Sequence, residues 1–176
     1  MFPPAHLLLQ WHITERCNLR CGHCYQEEPC PVDLEWGALA GMLDQFMAFR
    51  LEIAERRGGR QPGFHISVTG GEPFVRSDFM ILLARLSDGR DLWSFAVLSN
   101  GTMIDDIEAR HLALLGPSFV QVSIDGCEST HDKIRGGGAF AAAVRGIKNL
   151  VRHRVPVMLA FTATRDNYRE FSDVAR

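Results

Sequence analysis

Three of the chain's five cysteines crowd into one short stretch as Cys17-x3-Cys21-x2-Cys24; the others are Cys30 and Cys127. Disulfides within so short a stretch would close small, strained loops, and a disulfide-built secreted scaffold would be shorter and richer in cysteine. The reading is a chain of the reducing cytosol whose three thiols are kept for a metal. Thiolates are soft ligands that select zinc, copper(I) or iron–sulfur clusters. A closed zinc site wants four ligands, usually as two separated Cys pairs. His12 or His23 could in principle complete one, but His23 is wedged beside Cys24. Three cysteines on a cubane cluster leave one iron without a protein ligand, open to a small molecule. The spacing leaves cluster, zinc and free thiols as alternatives, with the cluster favoured.

Gly70-Gly71-Glu72-Pro73 is the second segment with chemical potential. It reads as a tight turn, or as two glycines that admit a ligand close to the backbone. In the second case Glu72 accepts a hydrogen bond from a ligand ammonium. Ser99, Ser123 and Asp125 stand where strands should end, so they could meet ribose hydroxyls. Asn100-Gly101 and Asp125-Gly126 are also ordinary turn dipeptides.

The elements that must position these residues alternate. Strands are expected at 7–13, 64–69, 95–99, 119–124 and 155–161. Helices are expected from Asp33, as N-cap, to about Arg57; from Ser77, as cap, to about Leu86; at 105–115; at 140–153; and from near Asn167. Gly58–Gly63 and Gly116-Pro117 are the breaks. Five alternations argue α/β with a parallel sheet and right-handed crossovers, either a partial barrel or a doubly wound sheet. In such an array the segments that follow the strands share the carboxyl edge, where ligands bind. The cysteine triplet, Gly70–Pro73, Ser99–Gly101 and Ser123–Gly136 converge there.

Composition excludes other classes. The chain has 176 residues, 46% hydrophobic and 23% charged, with a formal net charge of −2. No single-sign field argues for nucleic acid or an anionic membrane. No apolar run reaches a membrane span, and no basic-then-apolar start marks a secretory signal.

Together these segments resemble the radical S-adenosylmethionine (radical SAM) superfamily. Cys17, Cys21 and Cys24 match its cluster motif, and Gly70-Gly71-Glu72-Pro73 matches the segment that meets the methionine amino group. Cys17–Tyr25, Ser123–Gly126 and His131–Gly136 resemble the SPASM-type branch, in which many enzymes modify ribosomally made peptides. The resemblance implies a partial (β/α) barrel, five βα units of an expected six. It implies a 4Fe–4S cluster on Cys17, Cys21 and Cys24, and S-adenosylmethionine held by Gly70, Gly71 and Glu72. It places Ser99 and Ser123 near the ribose and Arg135 on the cofactor carboxylate. His23 takes the usual aromatic place before the third cysteine. The implied activity is reductive cleavage of S-adenosylmethionine to a 5′-deoxyadenosyl radical that abstracts hydrogen from a peptide or small-molecule substrate. A low-potential ferredoxin or flavodoxin would supply the electron.

The sixth strand and any C-terminal extension are missing from the pattern, so the chain reads as one catalytic domain, 1–176, cut short. Cys30 and Cys127 read as ordinary thiols. The competing functions are a zinc-binding interaction module and an inactive fragment that binds S-adenosylmethionine.

Overall fold

The computed structural model describes residues 6–26 and 32–175. Five parallel strands form one sheet: β1 (His6–His12), β2 (Gly63–Thr69), β3 (Ser94–Ser99), β4 (Val120–Ser123) and β5 (Val157–Ala160). Their order is β1-β2-β3-β4-β5. A doubly wound sheet reverses direction partway, whereas this one never does. Right-handed crossovers that always step the same way put their helices on one face. The other face is therefore the inside of a partial barrel, and the alternative that the alternation left open is settled.

Strand chemistry follows this division. Ile66, Val68, Phe95, Val97, Val120 and Val122 face the helices and are buried. Side chains of the opposite parity, paired in register across the sheet, include Gln10, Ser67, Leu98, Gln121 and Met158. The concave face is thus mixed and partly polar.

The helices are α1 (Trp36–Arg56), α2 (Phe79–Asp88), α3 (Asp106–Leu115), α4 (Glu128–Arg135), α5 (Ala139–Arg152) and α6 (Phe171–Val174). Leu39 and Leu43 of α1 and Phe79, Leu82, Leu83 and Leu86 of α2 fill the core at helical spacing. Asp105 caps α3, accepting from Ile107 N at 2.7 Å and Glu108 N at 3.0 Å. Gly116, at φ 68°, ends it in the left-handed region.

Some local expectations are corrected. Asp33 does not cap α1, which starts after Glu35; its carboxylate faces Thr14 and Arg16 instead. Ser77 does not cap α2. Asp78 holds that position, and its carboxylate pairs with Arg76 rather than capping. The polar run 128–135, to which the pattern assigns no element, is a helix. The helix expected near Asn167 is a 3-10 turn, Tyr168–Glu170, followed by the short α6.

Candidate functional site

All the strand-following segments do meet at the carboxyl edge. A cleft of about 340 Å³ there is lined by Cys17, Cys21, His23, Cys24, Gly70, Gly71, Ser99, Ser123 and Arg135, with Leu98 and Gln121 from the concave face. That volume is in the range of small-molecule sites. Cys17, Cys21 and Cys24 are free thiols.

Burial pushes the Cys17 and Cys21 thiols up. The Leu19 amide opposes this at Cys17, and the Arg135 guanidinium opposes it at Cys21. Each ionised thiol also works against its neighbours. A cationic centre is what would bring all three to thiolates, with release of protons. Among the described residues, no three His, Cys, Asp or Glu side chains converge as a single ion requires. A tetrahedral zinc site would hold its sulfurs about 3.8 Å apart. A cubane hangs each thiolate on a different iron and spreads them wider. What the structure shows of the three thiols is that they line one cleft together.

The base of the cysteine loop is set by the two glycines. Gly71 N donates to Thr14 O at 2.8 Å and Glu72 N to Arg16 O at 2.8 Å. A Cβ on Gly70, which lies at φ 146°, would collide with Thr14 O, and one on Gly71 with Arg16 O. The glycines therefore serve close approach to the chain's own backbone, immediately before Cys17, while still lining the cleft. Arg76 supports the same stretch from beneath, donating to Ile13 O at 2.9 Å and Leu34 O at 3.0 Å.

Glu72 turns inward behind the cleft wall. It is fully buried, and the cleft lining does not include it. Oε1 accepts from Ser99 Oγ at 2.9 Å and Phe74 N at 3.2 Å, and Oε2 accepts from Asn100 N at 2.7 Å. Burial raises its pKa to about 7 against these three bonds. In this arrangement the Glu72 carboxylate braces the Gly70–Gly71 wall from behind. Ser99 is correspondingly occupied: besides donating to Glu72, its Oγ accepts from Gly101 N at 2.9 Å.

Asp125 also turns inward. It is fully buried and does not line the cleft. Its Oδ2 accepts from Arg135 Nε at 2.6 Å and lies 2.8 Å from His23 Nε2; its Oδ1 accepts from Thr162 N at 2.9 Å. Burial alone would push this carboxyl up. The Thr162 amide, Arg135 and His23 outweigh it and hold the group below the usual carboxylate range. Arg135 brings Nη1 to 3.8 Å from Cys21 Sγ.

One further side chain at the site is not singled out by the sequence pattern. Asn100 Nδ2 donates to Asn18 Oδ1 at 2.9 Å and lies 3.9 Å from Cys17 Sγ. Its place beside Ser99 at a strand end was the available signal. Cys127 is exposed at the start of α4, away from the other thiols in the cleft lining. Cys30 lies outside the described residues.

Comparison with known proteins gives the same picture. A family model described as the radical SAM superfamily matches residues 11–176. Fe-coproporphyrin III synthase of Methanosarcina barkeri (strain Fusaro / DSM 804) is 36% identical over 181 residues, which cover 95% of this chain and 42% of the relative. Sporulation killing factor maturation protein SkfB of Bacillus subtilis (strain 168) is 32% identical over 163 residues, which cover 92% of this chain and 37% of the relative. The chain spans about two fifths of the length of these curated relatives. A solved structure of native anSMEcpe with bound AdoMet and Kp18Cys peptide superposes with a TM-score of 0.74 at 21% identity. The match covers 98% of this chain and 49% of that one, a likeness of fold. No helix among the described residues is long and apolar enough to cross a membrane.

Proposed function

The chain belongs to the radical SAM superfamily, and from that premise we propose that it is the cofactor-binding core of an enzyme that cleaves S-adenosylmethionine reductively and turns the resulting radical on an organic substrate. Cys17, Cys21 and Cys24 would hold a 4Fe–4S cluster. When bound, the cluster and S-adenosylmethionine supply one-electron chemistry that no side chain can perform.

This chain's own residues bind, orient and shield. The three thiolates leave one iron without a protein ligand. Gly70 and Gly71 present backbone toward the methionine end of the cofactor, held in place by Glu72 from behind. Ser99 and Ser123, at the ends of β3 and β4, take the ribose side; one lone pair of Ser99 Oγ remains for a ligand hydroxyl. Arg135 reaches the cleft with its guanidinium fixed by Asp125, which suits a carboxylate.

The relatives point two ways for the substrate, one name carrying a coproporphyrin and another a killing factor. A tetrapyrrole bearing carboxylates would call for Lys or Arg on the concave face. The described strand residues of that face include Gln10, His65, Ser67 and Gln121 and no Lys or Arg. Groups that both donate and accept suit a peptide backbone, so a peptide substrate is the reading supported best. A low-potential ferredoxin or flavodoxin is the proposed electron donor.

The single observation that carries the reading is the meeting of all three thiols with Gly70, Gly71, Ser99, Ser123 and Arg135 around one cleft. The test is anaerobic reconstitution with iron and sulfide, then reduction with S-adenosylmethionine present. Brown protein, an electron paramagnetic resonance signal altered by S-adenosylmethionine, and 5′-deoxyadenosine in the products are expected. A colourless protein with one tightly held zinc would overturn the reading. A cluster and cofactor binding without any 5′-deoxyadenosine would reduce it to a binding fragment.

A further inference from the structure

The side chain most committed to the second half of the cysteine loop is not a cysteine. We propose that Asp125 is the positioning residue that sets Cys21 and Cys24 for the cluster, an inference that rests on the cluster reading above. Its carboxylate is fully buried, yet four partners of this residue come from four places in the chain. His23, between Cys21 and Cys24, lies 2.8 Å from Oδ2. Arg135, at the end of α4, donates to the same oxygen. Thr162 N, just beyond β5, donates to Oδ1. Asn167 Nδ2 donates to the Asp125 carbonyl at 2.9 Å.

The two bonds to Oδ2 lead to the cysteine loop. Because Oδ2 can only accept, His23 Nε2 must be the donor, and this fixes the imidazole next to Cys24. Arg135, held at Nε, points Nη1 at Cys21 Sγ. The backbone completes the seat: Gly22 N donates to Ile134 O at 2.7 Å, which lays the loop on the last turn of α4. One carboxylate thereby aligns two donors that flank two of the three ligands. In the Asn variant an amide oxygen can still accept from Arg135 and His23, but its NH2 then faces the Thr162 N–H, donor against donor, and turning the amide over costs the two ties to the cysteine loop instead.

The experiment compares the anaerobically reconstituted parent chain with Asp125→Asn and Asp132→Asn. Asp132 is the control: it is a carboxylate of α4, only seven positions on, but it accepts from Gly138 N at 2.7 Å and Phe140 N at 2.8 Å at the start of α5. Iron loss to a chelator and the paramagnetic resonance spectrum of the reduced cluster are read. Loss of the partners that orient metal ligands typically weakens metal binding about 10–100-fold. Asp125→Asn is expected to lose iron at least about 10-fold faster, with a shifted spectrum, while Asp132→Asn matches the parent. A parental rate and spectrum in Asp125→Asn, or equal acceleration in both variants, overturns the inference. If Asp125→Asn does not fold, His23→Phe removes one arm at a partly exposed side chain. Faster iron loss there supports the inference, and a parental rate overturns it. A parent that takes up no cluster overturns the cluster reading and this inference together, whereas a parent that holds one tests the inference alone.

Discussion

Ser99 Oγ donates to Glu72 Oε1 at 2.9 Å, across 27 positions of sequence. Two residues that each suggest a ligand contact are thus bound to one another. Their bond joins the end of β3 to the turn after β2, and the Glu72 backbone continues the tie to Arg16, one residue before Cys17. Holding the cofactor cleft open and holding the cysteine loop in place are one and the same set of hydrogen bonds.

Glu72→Ala strands three buried donors, from Ser99, Asn100 and Phe74. Unsatisfied buried donors cost about 1–3 kcal/mol each before relaxation. Differential scanning calorimetry of the metal-free chain is expected to show a melting point roughly 5–15 °C lower. S-adenosylmethionine affinity, titrated on reconstituted protein, falls while cluster content is spared. An unchanged melting point would mean that the carboxylate does not brace the wall.

The same group gives stability a pH dependence. Glu72 is raised in the folded chain to about 7 from an ordinary value of 4.5, chiefly by burial. Its stabilising contribution is present below the unfolded value and is lost as pH rises through about 7. Urea unfolding of the metal-free chain should show stability falling between pH 5 and about 7, and Glu72→Gln should flatten that slope. A slope retained in the variant would assign it to other groups.

Gly71→Ala drives a methyl into the Arg16 carbonyl, a rigid backbone partner. The expected result is loss of soluble folded protein or of cluster uptake. Gly137→Ala is the contrast: nothing lies within 4 Å of its added methyl. That change should be neutral or stabilise by a few tenths to about 1 kcal/mol through the unfolded chain. Circular dichroism melts of the pair check both outcomes.

Among the thiols, Cys21→Ala should abolish the cluster, because only two protein ligands remain. Cys127→Ser and Cys30→Ala should retain iron and sulfide at the parental level. Iron and acid-labile sulfide assays decide the matter, and cluster loss in the Cys30 variant would redraw the ligand set.

Glu170 joins the C-terminal segment to the start of α4, accepting from Thr130 Oγ1 at 2.6 Å and Cys127 N at 2.7 Å. These bonds hold its carboxyl below the ordinary range. A depressed folded value means the tie is present above the unfolded pKa and is lost as pH falls through the folded one. Protection from hydrogen exchange at 168–174, taken relative to the intrinsic rate at each pH, should fall on acidification, and Glu170→Gln should lower it already at neutral pH.

Local patterning accounts for most of what could be read in advance. The strands and the helices α1, α2, α3 and α5 carry apolar residues at the period of their geometry. Helix α4 does not: Glu-Ser-Thr-His-Asp-Lys-Ile-Arg has no apolar stripe. It is stabilised by burying His131 and Arg135 and by its seat under the cysteine loop. Asp33 and Ser77 were assigned as caps because their residue types favour that place. Arg16 and Arg76 draw the Asp33 carboxylate toward the cysteine loop instead, and Asp78 begins α2.

From the sequence alone came the triplet of thiols, the alternating elements and the family, since sulfur spacing and periodicity are properties of the chain read locally. The folded chain alone decided the strand order and which polar groups line the cleft. Glu72, Ser99 and Asp125 sit beside the cleft by topology, but their bonds are to residues far away in sequence. A buried carboxylate must satisfy its oxygens with whatever donors the fold brings near, and no local pattern states which donors those will be.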